Sequence, residues 1–282
     1  MYDFFFTSAV HRLIDLALDE DIGSGDITTH FLITPGTSSE ASIVAKEPLV
    51  VAGLALAKEV FQRLDPKVDF RPNASDGDKV PKGNVVVHLK GSLAGLLTAE
   101  RTALNFLQRL SGIATNTSAY MQLIGDRPVR LVDTRKTTPG WRVLEKYAVR
   151  VGGAANHRMG LFDAVLIKDN HIAGCGGIGP AVKRIRASVS HLTKIEVETT
   201  TLEEVHEALE AGADVIMLDN MDLDAIREAT RLINKRALVE ISGGVTGEGL
   251  QELAESGVDL ISVGALTHSA RAVDLSMKIK EV

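Results

Sequence analysis

The chain has 282 residues, 45% of them hydrophobic and 24% charged, so it can bury one large core or one large and one small core. Its formal net charge of −6 argues against nucleic-acid or membrane partners, and any basic cluster must therefore serve a local purpose. The single cysteine, Cys175, excludes an internal disulfide and a cysteine-built zinc site, and it fits a reducing cytoplasm. The apolar stretches at residues 4–6 and 49–57 are too short for a signal-peptide core and a membrane span, so we expect a cytoplasmic protein.

The first predicted element is an amphipathic helix over residues 8–19. Val10, Ile14 and Leu18 recur at helical spacing after Ser8, which is a preferred N-cap residue. We therefore expect these apolar side chains to face a core.

The polar turn DEDIGSGDITT follows this helix. Its acidic residues resemble the start of a calcium-binding loop, but the twelfth position from Asp19 is His30, where such a loop needs a bidentate glutamate. We therefore predict a tight turn in which Asp26 caps a second helix.

Short elements then alternate: strands at residues 41–45, 49–52 and 84–90, and a helix at residues 54–64. They predict a small α+β layer. The turn DGDKVPKG also occurs in lipoyl and biotinyl carrier domains, but the chain has no modified-lysine hairpin. Residues 96–124 predict a long helix, with a bend near Gly112, that joins two domains.

After Pro128, six short apolar runs end in charged or glycine-rich residues: VRLVDTRK, DAVLIKDNH, TKIEVET, ADVIMLDN, ALVEISGG and VDLISVGALTHS. Helical patterns at residues 180–189, 202–211, 223–233 and 248–256 separate most of them. This alternation predicts parallel βα units, and it favours a closed or nearly closed α/β barrel with its site at the carboxyl ends of the strands. An open doubly wound sheet remains the alternative, because periodicity cannot show closure.

Charged side chains stand at these predicted strand ends. Because residues two apart share a face of a strand, Asp133 is expected to face the same side as Arg135, and Glu196 the same side as Glu198. Lys168, Glu196, Glu198 and Asp219 are then expected to converge with Arg135 on one mouth. Such charges must pair with one another or bind a ligand, so a structural salt-bridge network is the alternative to a binding site.

A second set of groups suits an anionic ligand. The cations Arg135, Lys136, His157 and Arg158 lie in or beside predicted loops. Glycines at 243, 244 and 264 end the last two strands, where a barrel commonly binds phosphate. The pattern predicts a substrate with several negative charges, with acids that hold Mg²⁺ or stabilise a developing positive centre. No nucleophile motif stands out, so the chemistry is expected to depend on placed charges.

Several long motifs resemble one family. They are EDIGSGDIT, TAERTALNFLQRLSGIAT, DTRKTTPGWR, LEKYAV, GGAANHRMGLFDAVLIKDNHI, KIEVE, IMLDN, EISGG and GVDLISVGALTHS. Together they resemble the quinolinate phosphoribosyltransferases, the carboxylating nicotinate-nucleotide pyrophosphorylases of NAD biosynthesis. The resemblance implies transfer of phosphoribosyl from phosphoribosyl pyrophosphate to quinolinate with decarboxylation, giving nicotinate mononucleotide, pyrophosphate and CO₂.

The resemblance also implies residue roles. Arg135, His157, Arg158 and Lys168 would hold the quinolinate carboxylates, with Thr134 nearby in the site and Lys136 between quinolinate and phosphate. Glu198 and Asp219 would stabilise the reacting ribose and hold Mg²⁺ that enters with phosphoribosyl pyrophosphate, and no organic cofactor is implied. The 5′-phosphate would lie on Ser242, Gly243, Gly244 and Gly264. The implied catalytic set is Lys136, Lys168, Glu198 and Asp219.

The family fold sets the expected organisation. Residues 1–110 would form an α+β open-faced sandwich, to which residues 268–282 return with the last helix, and residues 111–267 an incomplete, seven-stranded α/β barrel. Arg101 would reach the site of the other subunit, which implies a homodimer with shared sites. Ala154, Trp141 and Thr199 depart from the usual family residues without removing a charge, so they affect loop shape more than chemistry.

Two other functions are consistent with the pattern. One is a relative on the same scaffold, such as nicotinate phosphoribosyltransferase or the molybdenum-locus paralogue. The doubled cation set favours a dicarboxylate, because a substrate with one carboxylate would leave a cation unpaired. The other is a non-catalytic metabolite-binding protein, against which the charges at every strand end argue.

Overall fold

The computed structural model describes residues 7–280, so the apolar stretch at residues 4–6 lies outside the described part. The chain divides into two compact units. Unit 1 comprises Met1–Ser118, Thr138–Gly153 and Ser269–Val282, and unit 2 comprises Ala119–Thr137 and Ala154–His268. Residues 138–153 thus belong to unit 1, although the sequence pattern placed them with the barrel. Among the described residues, no helix combines the length and the apolarity that a membrane span requires.

The helices are α1 (Ser8–Ile22), α2 (Ile27–Leu32), α3 (Leu54–Leu64), α4 (Leu93–Ile124), α5 (Arg142–Val151), α6 (Asp169–Cys175), α7 (Ile178–Arg186), α8 (Leu202–Glu210), α9 (Leu223–Ile233), α10 (Leu250–Ala254) and α11 (Ala265–His268). The strands are β1 (Ser38–Ala45), β2 (Leu49–Val50), β3 (Asp69–Pro72), β4 (Lys79–Val80), β5 (Val85–Ser92), β6 (Arg130–Val132), β7 (Val165–Ile167), β8 (Ile195–Thr199), β9 (Val215–Asp219), β10 (Leu238–Ser242), β11 (Leu260–Ser262) and β12 (Leu275–Ile279).

Unit 1 is built on an antiparallel sheet in the order β12-β1-β5-β3. Its last strand, β12, pairs with β1 in a register that places Ala45 opposite Leu275. The predicted return of the chain end to the first domain is therefore made by a strand, and the expected final helix was wrong. The reason is that the end of the chain satisfies the hydrogen-bonding edge of β1, which a helix could not do.

The two amino-terminal helices show how local chemistry sets their limits. Thr7, one residue before the predicted cap, accepts the amide of Val10 at 3.3 Å and starts α1. Asp26 caps α2 as predicted, because its carboxylate accepts the amide of Thr29 at 2.9 Å. The same carboxylate accepts the hydroxyl of Thr98 at 3.1 Å, which links α2 to α4.

Helix α4 carries the chain from unit 1 into unit 2. It runs through Gly112 without a break in the helix. A side chain at Gly112 would place its Cβ 2.1 Å from the carbonyl oxygen of Arg271. The glycine is therefore explained by the close approach of the returning chain rather than by the predicted bend.

Within unit 1, helix α5 is anchored to α4 by an ion pair whose carboxylate is buried. The Glu145 carboxylate is fully buried and accepts the Arg109 guanidinium at 2.8 Å. It also accepts the amide of Thr138 at 3.2 Å and its hydroxyl at 2.9 Å. These contacts hold the chain where it leaves the loop that contains Arg135 and Lys136.

Unit 2 contains a parallel sheet in the order β6-β11-β10-β9-β8-β7, which confirms the predicted α/β class. Within residues 7–280 this sheet has six strands, and Ala155 adds an isolated parallel bridge to Val132 beside β6. The predicted seventh strand and barrel closure stay predictions.

The sheet of unit 2 is strongly curved. Five strand spacings separate Ala155 from β8, which would amount to roughly 24 Å in a flat sheet. Yet His157, two residues after Ala155, lies 3.2 Å from Glu196 of β8. Only a sheet that curls back on itself brings these two residues together.

Candidate active site

The strand register of unit 2 places the predicted acids on one face. Glu198 pairs with Met217, and Asp219 pairs with Ser242, so these residues share the face on which Glu196 also lies. Lys168 follows β7 directly, and its ammonium forms an ion pair with the Glu198 carboxylate. The structure therefore brings Lys168 and Glu198 together, as the strand-end pattern predicted.

A buried cluster lies deeper on the same face. Nε2 of His157 is 3.2 Å from a Glu196 oxygen and 3.4 Å from a Glu240 oxygen. All three ligand atoms lie within 4.8 Å of one another. The sequence reading missed Glu240, although it stands two residues before Ser242 in β10 and alternation alone places it on this face.

The cluster shifts the pKa values of its members. Burial lowers the pKa of His157, but contacts with Glu196 and Glu240 outweigh it and raise that pKa to about 10. Burial raises the pKa of Glu196, the His157 ring opposes this shift, and the charge of Glu240 adds to it. At the other ring nitrogen, Nδ1 accepts the amide of Arg158 at 2.7 Å, which favours the neutral Nε2–H ring. The two carboxylates thus favour a protonated ring, whereas the Arg158 amide favours a neutral one. Because Nδ1 accepts this amide, it carries no proton in this geometry.

Arg135 is exposed and Asp133 is buried, so the alternation expected of a strand does not place these two residues together. The Asp133 carboxylate accepts the amide of His157 at 2.9 Å and the Asn156 side chain at 2.7 Å. Strand β6 ends at Val132, so the alternation of faces does not continue to Arg135, which is exposed. Asp133 instead holds the loop that carries the cations.

Arg158 and Arg135 lie close enough to repel each other. Burial first, and then the positive charge of Arg135, lowers the pKa of Arg158. The Arg158 guanidinium also donates to the carbonyl of Ala164 at 3.3 Å. An anion between the two guanidinium groups would relieve this repulsion, so the pair suits an anionic ligand.

The loop after β6 meets the end of β11. The amide of Lys136 donates to the Thr134 hydroxyl at 3.0 Å, and its carbonyl accepts the Thr267 hydroxyl at 2.8 Å. The Lys136 side chain passes over Gly264, where a Cβ would lie 3.0 Å from its Cδ. The structure thus brings together Thr134, Lys136 and Gly264.

The glycines after β10 form a second close approach. Gly243 and Gly244 have φ angles of +88° and +60°, and a Cβ on Gly243 would lie 2.3 Å from Oδ1 of Asn220. Asn220 donates its side-chain amide to Asp219 at 2.8 Å and its backbone amide to the Ser242 carbonyl at 3.0 Å. Asn220 therefore links the ends of β9 and β10, and the sequence reading did not select it.

Arg101 lies on α4 in unit 1 and is exposed. Its predicted role in the site of another subunit stays a prediction.

The fold and the strand-end groups define a class: a two-unit α/β protein that presents cations, carboxylates and glycine turns at the carboxyl ends of a curved parallel sheet. Residues 26–111 match the family model "Quinolinate phosphoribosyl transferase, N-terminal domain", and residues 113–278 match the corresponding C-terminal domain. The chain belongs to the quinolinate phosphoribosyltransferase family, which confirms the resemblance seen in its motifs.

The chain is similar to other proteins over most of their lengths. The chain is 48% identical over 268 residues to a probable nicotinate-nucleotide pyrophosphorylase [carboxylating] of Bacillus subtilis, covering 95% of this chain and 92% of that one. It is 43% identical to a mitochondrial quinolinate phosphoribosyltransferase [decarboxylating] of Nicotiana glauca, covering 97% and 83%. The solved structure of NadC from Streptococcus pyogenes superposes with a TM-score of 0.93 at 43% identity, covering 96% of each chain.

A more distant likeness concerns the fold alone. Human nicotinic acid phosphoribosyltransferase superposes with a TM-score of 0.62 at 14% identity, covering 86% of this chain and 70% of that one. At this identity the likeness shows a shared fold and carries no information about the substrate.

Proposed function

We propose that this protein transfers phosphoribosyl from phosphoribosyl pyrophosphate to quinolinate and releases CO₂, forming nicotinate mononucleotide and pyrophosphate for NAD biosynthesis. The observation that carries the proposal is the set of three cations, Arg135, Arg158 and Lys168, at strand ends of one curved sheet. The close relatives bear names that specify this reaction.

The cations suit a dicarboxylate. The neighbouring guanidinium groups of Arg135 and Arg158 bind one carboxylate, and Lys168 binds the other. Lys168 is held beside Glu198, so its ammonium is in place before the substrate arrives. Nicotinate has a single carboxylate and would leave one of these positions empty, which is the physical basis for preferring quinolinate.

The carboxylates suit the bond changes. The pyridine nitrogen bonds to C1 of the ribose as the C1–O bond breaks, and pyrophosphate leaves with the electron pair. Glu198 and Asp219 stabilise the positive charge that develops at C1. The nitrogen, now cationic, stabilises the electron pair left at C2 when the 2-carboxylate departs as CO₂, and C2 then takes a proton.

We also propose that Mg²⁺ enters with phosphoribosyl pyrophosphate. Carboxylate oxygens are the ligands that this ion prefers, and Glu198 and Asp219 offer them on adjacent strands. Glu198 would share its carboxylate between the ion and Lys168. When bound, the ion would supply charge that neutralises the leaving pyrophosphate.

The glycine turns suit the 5′-phosphate. Ser242, Gly243 and Gly244 lie in a backbone turn with positive φ angles after β10, and Gly264 follows β11, the neighbouring strand. Backbone amides in such turns can point toward an anion. Lys136, which packs over Gly264, then lies between the phosphate and the quinolinate positions.

Replacing Gly243 with alanine is expected to raise the KM for phosphoribosyl pyrophosphate by about tenfold and to change the KM for quinolinate by less than about twofold. The added Cβ collides with Asn220, and the φ angle of +88° disfavours any side chain. Steady-state kinetics with each substrate varied in turn measure the effect.

The control for this change is Gly179→Ala in α7, where the nearest atom to a Cβ is Oε1 of Glu207 at 3.8 Å. Gly179→Ala should leave both KM values unchanged. An unchanged KM for phosphoribosyl pyrophosphate in Gly243→Ala would remove the phosphate assignment.

The quaternary arrangement belongs to the same proposal. The protein forms a homodimer in which Arg101 of each subunit completes the quinolinate position of its partner. The exposed position of Arg101 on α4 is consistent with this role. We place the protein in the cytoplasm, as its single cysteine suggests.

One assay tests the proposed function. Purified protein is incubated with phosphoribosyl pyrophosphate, Mg²⁺ and either nicotinate or quinolinate labelled at its 2-carboxylate. Labelled CO₂ and nicotinate mononucleotide are expected in equal amounts, and only with quinolinate. Nucleotide formed from nicotinate would favour the related transferase, and tight binding without turnover would favour a non-catalytic binding protein.

A further inference from the structure

The cluster of His157, Glu196 and Glu240 has no part in the chemistry above. Glu240 is 2% exposed and Glu196 is 7% exposed, so both carboxyl groups lie inside the curved sheet of unit 2. Burying such groups is costly unless they are paired. Nε2 of His157 lies within ion-pair distance of both carboxylates, at 3.2 and 3.4 Å, while one oxygen of each accepts no hydrogen bond from the described residues. The ring is therefore the charge partner that this face offers to the two acids.

The ring is held from both sides. Nε2 points toward the two carboxyl groups, and Nδ1 accepts the amide of Arg158 at 2.7 Å. Asp133 holds the same loop through two hydrogen bonds: its carboxylate accepts the backbone amide of His157 and the side-chain amide of Asn156. Contacts to acidic side chains and to the ring therefore fix three consecutive residues, which end at Arg158.

Fixing Arg158 has a specific consequence. Its guanidinium is partly buried near that of Arg135, and each repels the other. A loop free to relax would move the two groups apart, and the anion position between them would be lost. A rigid support behind Arg158 keeps the position formed before an anion binds, which reduces the ordering cost of binding.

We propose that Glu240, together with Glu196, is a positioning residue for the quinolinate site: it fixes the His157 ring, and the ring fixes the Arg158 backbone beside Arg135. This inference rests on the proposed function. In this role His157 supports the anion position between Arg135 and Arg158, and both of its ring nitrogens are directed to protein groups. The family resemblance had instead implied that His157 contacts a carboxylate of quinolinate.

The test compares two replacements of Glu240. Glu240→Ala removes the support, and the KM for quinolinate is expected to rise at least about tenfold, with the KM for phosphoribosyl pyrophosphate changed by less than about twofold. Glu240→Gln keeps an oxygen that can accept the Nε2–H group, so its KM for quinolinate is expected to stay within about threefold of the wild-type value.

A matched control is Ser262→Ala, at a buried position on the neighbouring strand β11 whose hydroxyl donates to the Ile241 carbonyl. It tests general weakening of the sheet and should leave both KM values unchanged. If Glu240→Ala lowers only Tm and kcat, or raises both KM values equally, the residue is merely structural and the positioning role is wrong.

A second measurement separates this inference from the proposed function. Crystal structures of the wild type and Glu240→Ala should show the His157 ring turned and the Arg158 guanidinium displaced in the variant. An unmoved Arg158 would overturn the positioning role even if quinolinate is the substrate. Failure of the wild type to release CO₂ from quinolinate would overturn the proposed function, while a displaced Arg158 would still support the positioning role.

Discussion

Lys168→Ala is expected to lower kcat/KM for quinolinate by about 10- to 100-fold, because a hydrogen bond to a charged group typically contributes about 1.5–3 kcal/mol. Two effects combine. The variant loses the ammonium assigned to a substrate carboxylate, and it leaves the Glu198 carboxylate, whose side chain is 12% exposed, without its cation. Binding of quinolinate and of phosphoribosyl pyrophosphate, measured separately by calorimetry, locates the loss.

The effect should be confined to quinolinate, because the proposal assigns Lys168 to a carboxylate. Lys183→Ala provides the matched control, since Lys183 is an exposed lysine of α7 in the same unit and should tolerate the change. Equal losses of affinity for both substrates in Lys168→Ala would contradict the assignment.

Mixing Arg101→Ala subunits with Lys136→Ala subunits is expected to restore about a quarter of wild-type activity from two inactive proteins, if subunits exchange at random in a dimer. Half of the dimers are then mixed, and each mixed dimer has one site that carries both defects and one that carries neither. Activity measured after unfolding and refolding the two variants together checks the result.

The mixed dimers must be verified directly, for example by two different affinity tags purified in succession. Each variant refolded alone serves as the control and should remain inactive. If verified mixed dimers are inactive as well, Arg101 acts within its own subunit or not at the site, and the shared-site proposal is wrong.

Much of the fold could be predicted because the signals were local. The spacing of apolar residues in α9 and the β-branched runs of β8 and β9 specify helix and strand without reference to distant residues. The helix at residues 142–151 shows the limit. It joins unit 1 through the buried contact of Glu145 with Arg109, a partner 36 positions away that no local pattern indicates.

The candidate site was predictable to the extent that strand ends specify it. Lys168 and Glu198 each stand at the carboxyl end of a parallel strand, so their meeting follows from topology. The expected common face of Asp133 and Arg135 does not follow from strand alternation, because β6 ends at Val132 and the buried Asp133 holds a loop. Alternation along β10 places Glu240 on the site face, but only the curved sheet shows that His157 lies beside it.

By itself, the amino-acid order determined the α/β class, the family and the charges at the ends of parallel strands, because each depends on residues close together in the chain. Only the tertiary structure decided that unit 1 takes residues 138–153 and ends in a strand, and that His157 lies between Glu196 and Glu240. The physical reason is that such pairings follow from the curvature of a sheet and from the burial of charge, which depend on the whole packed unit.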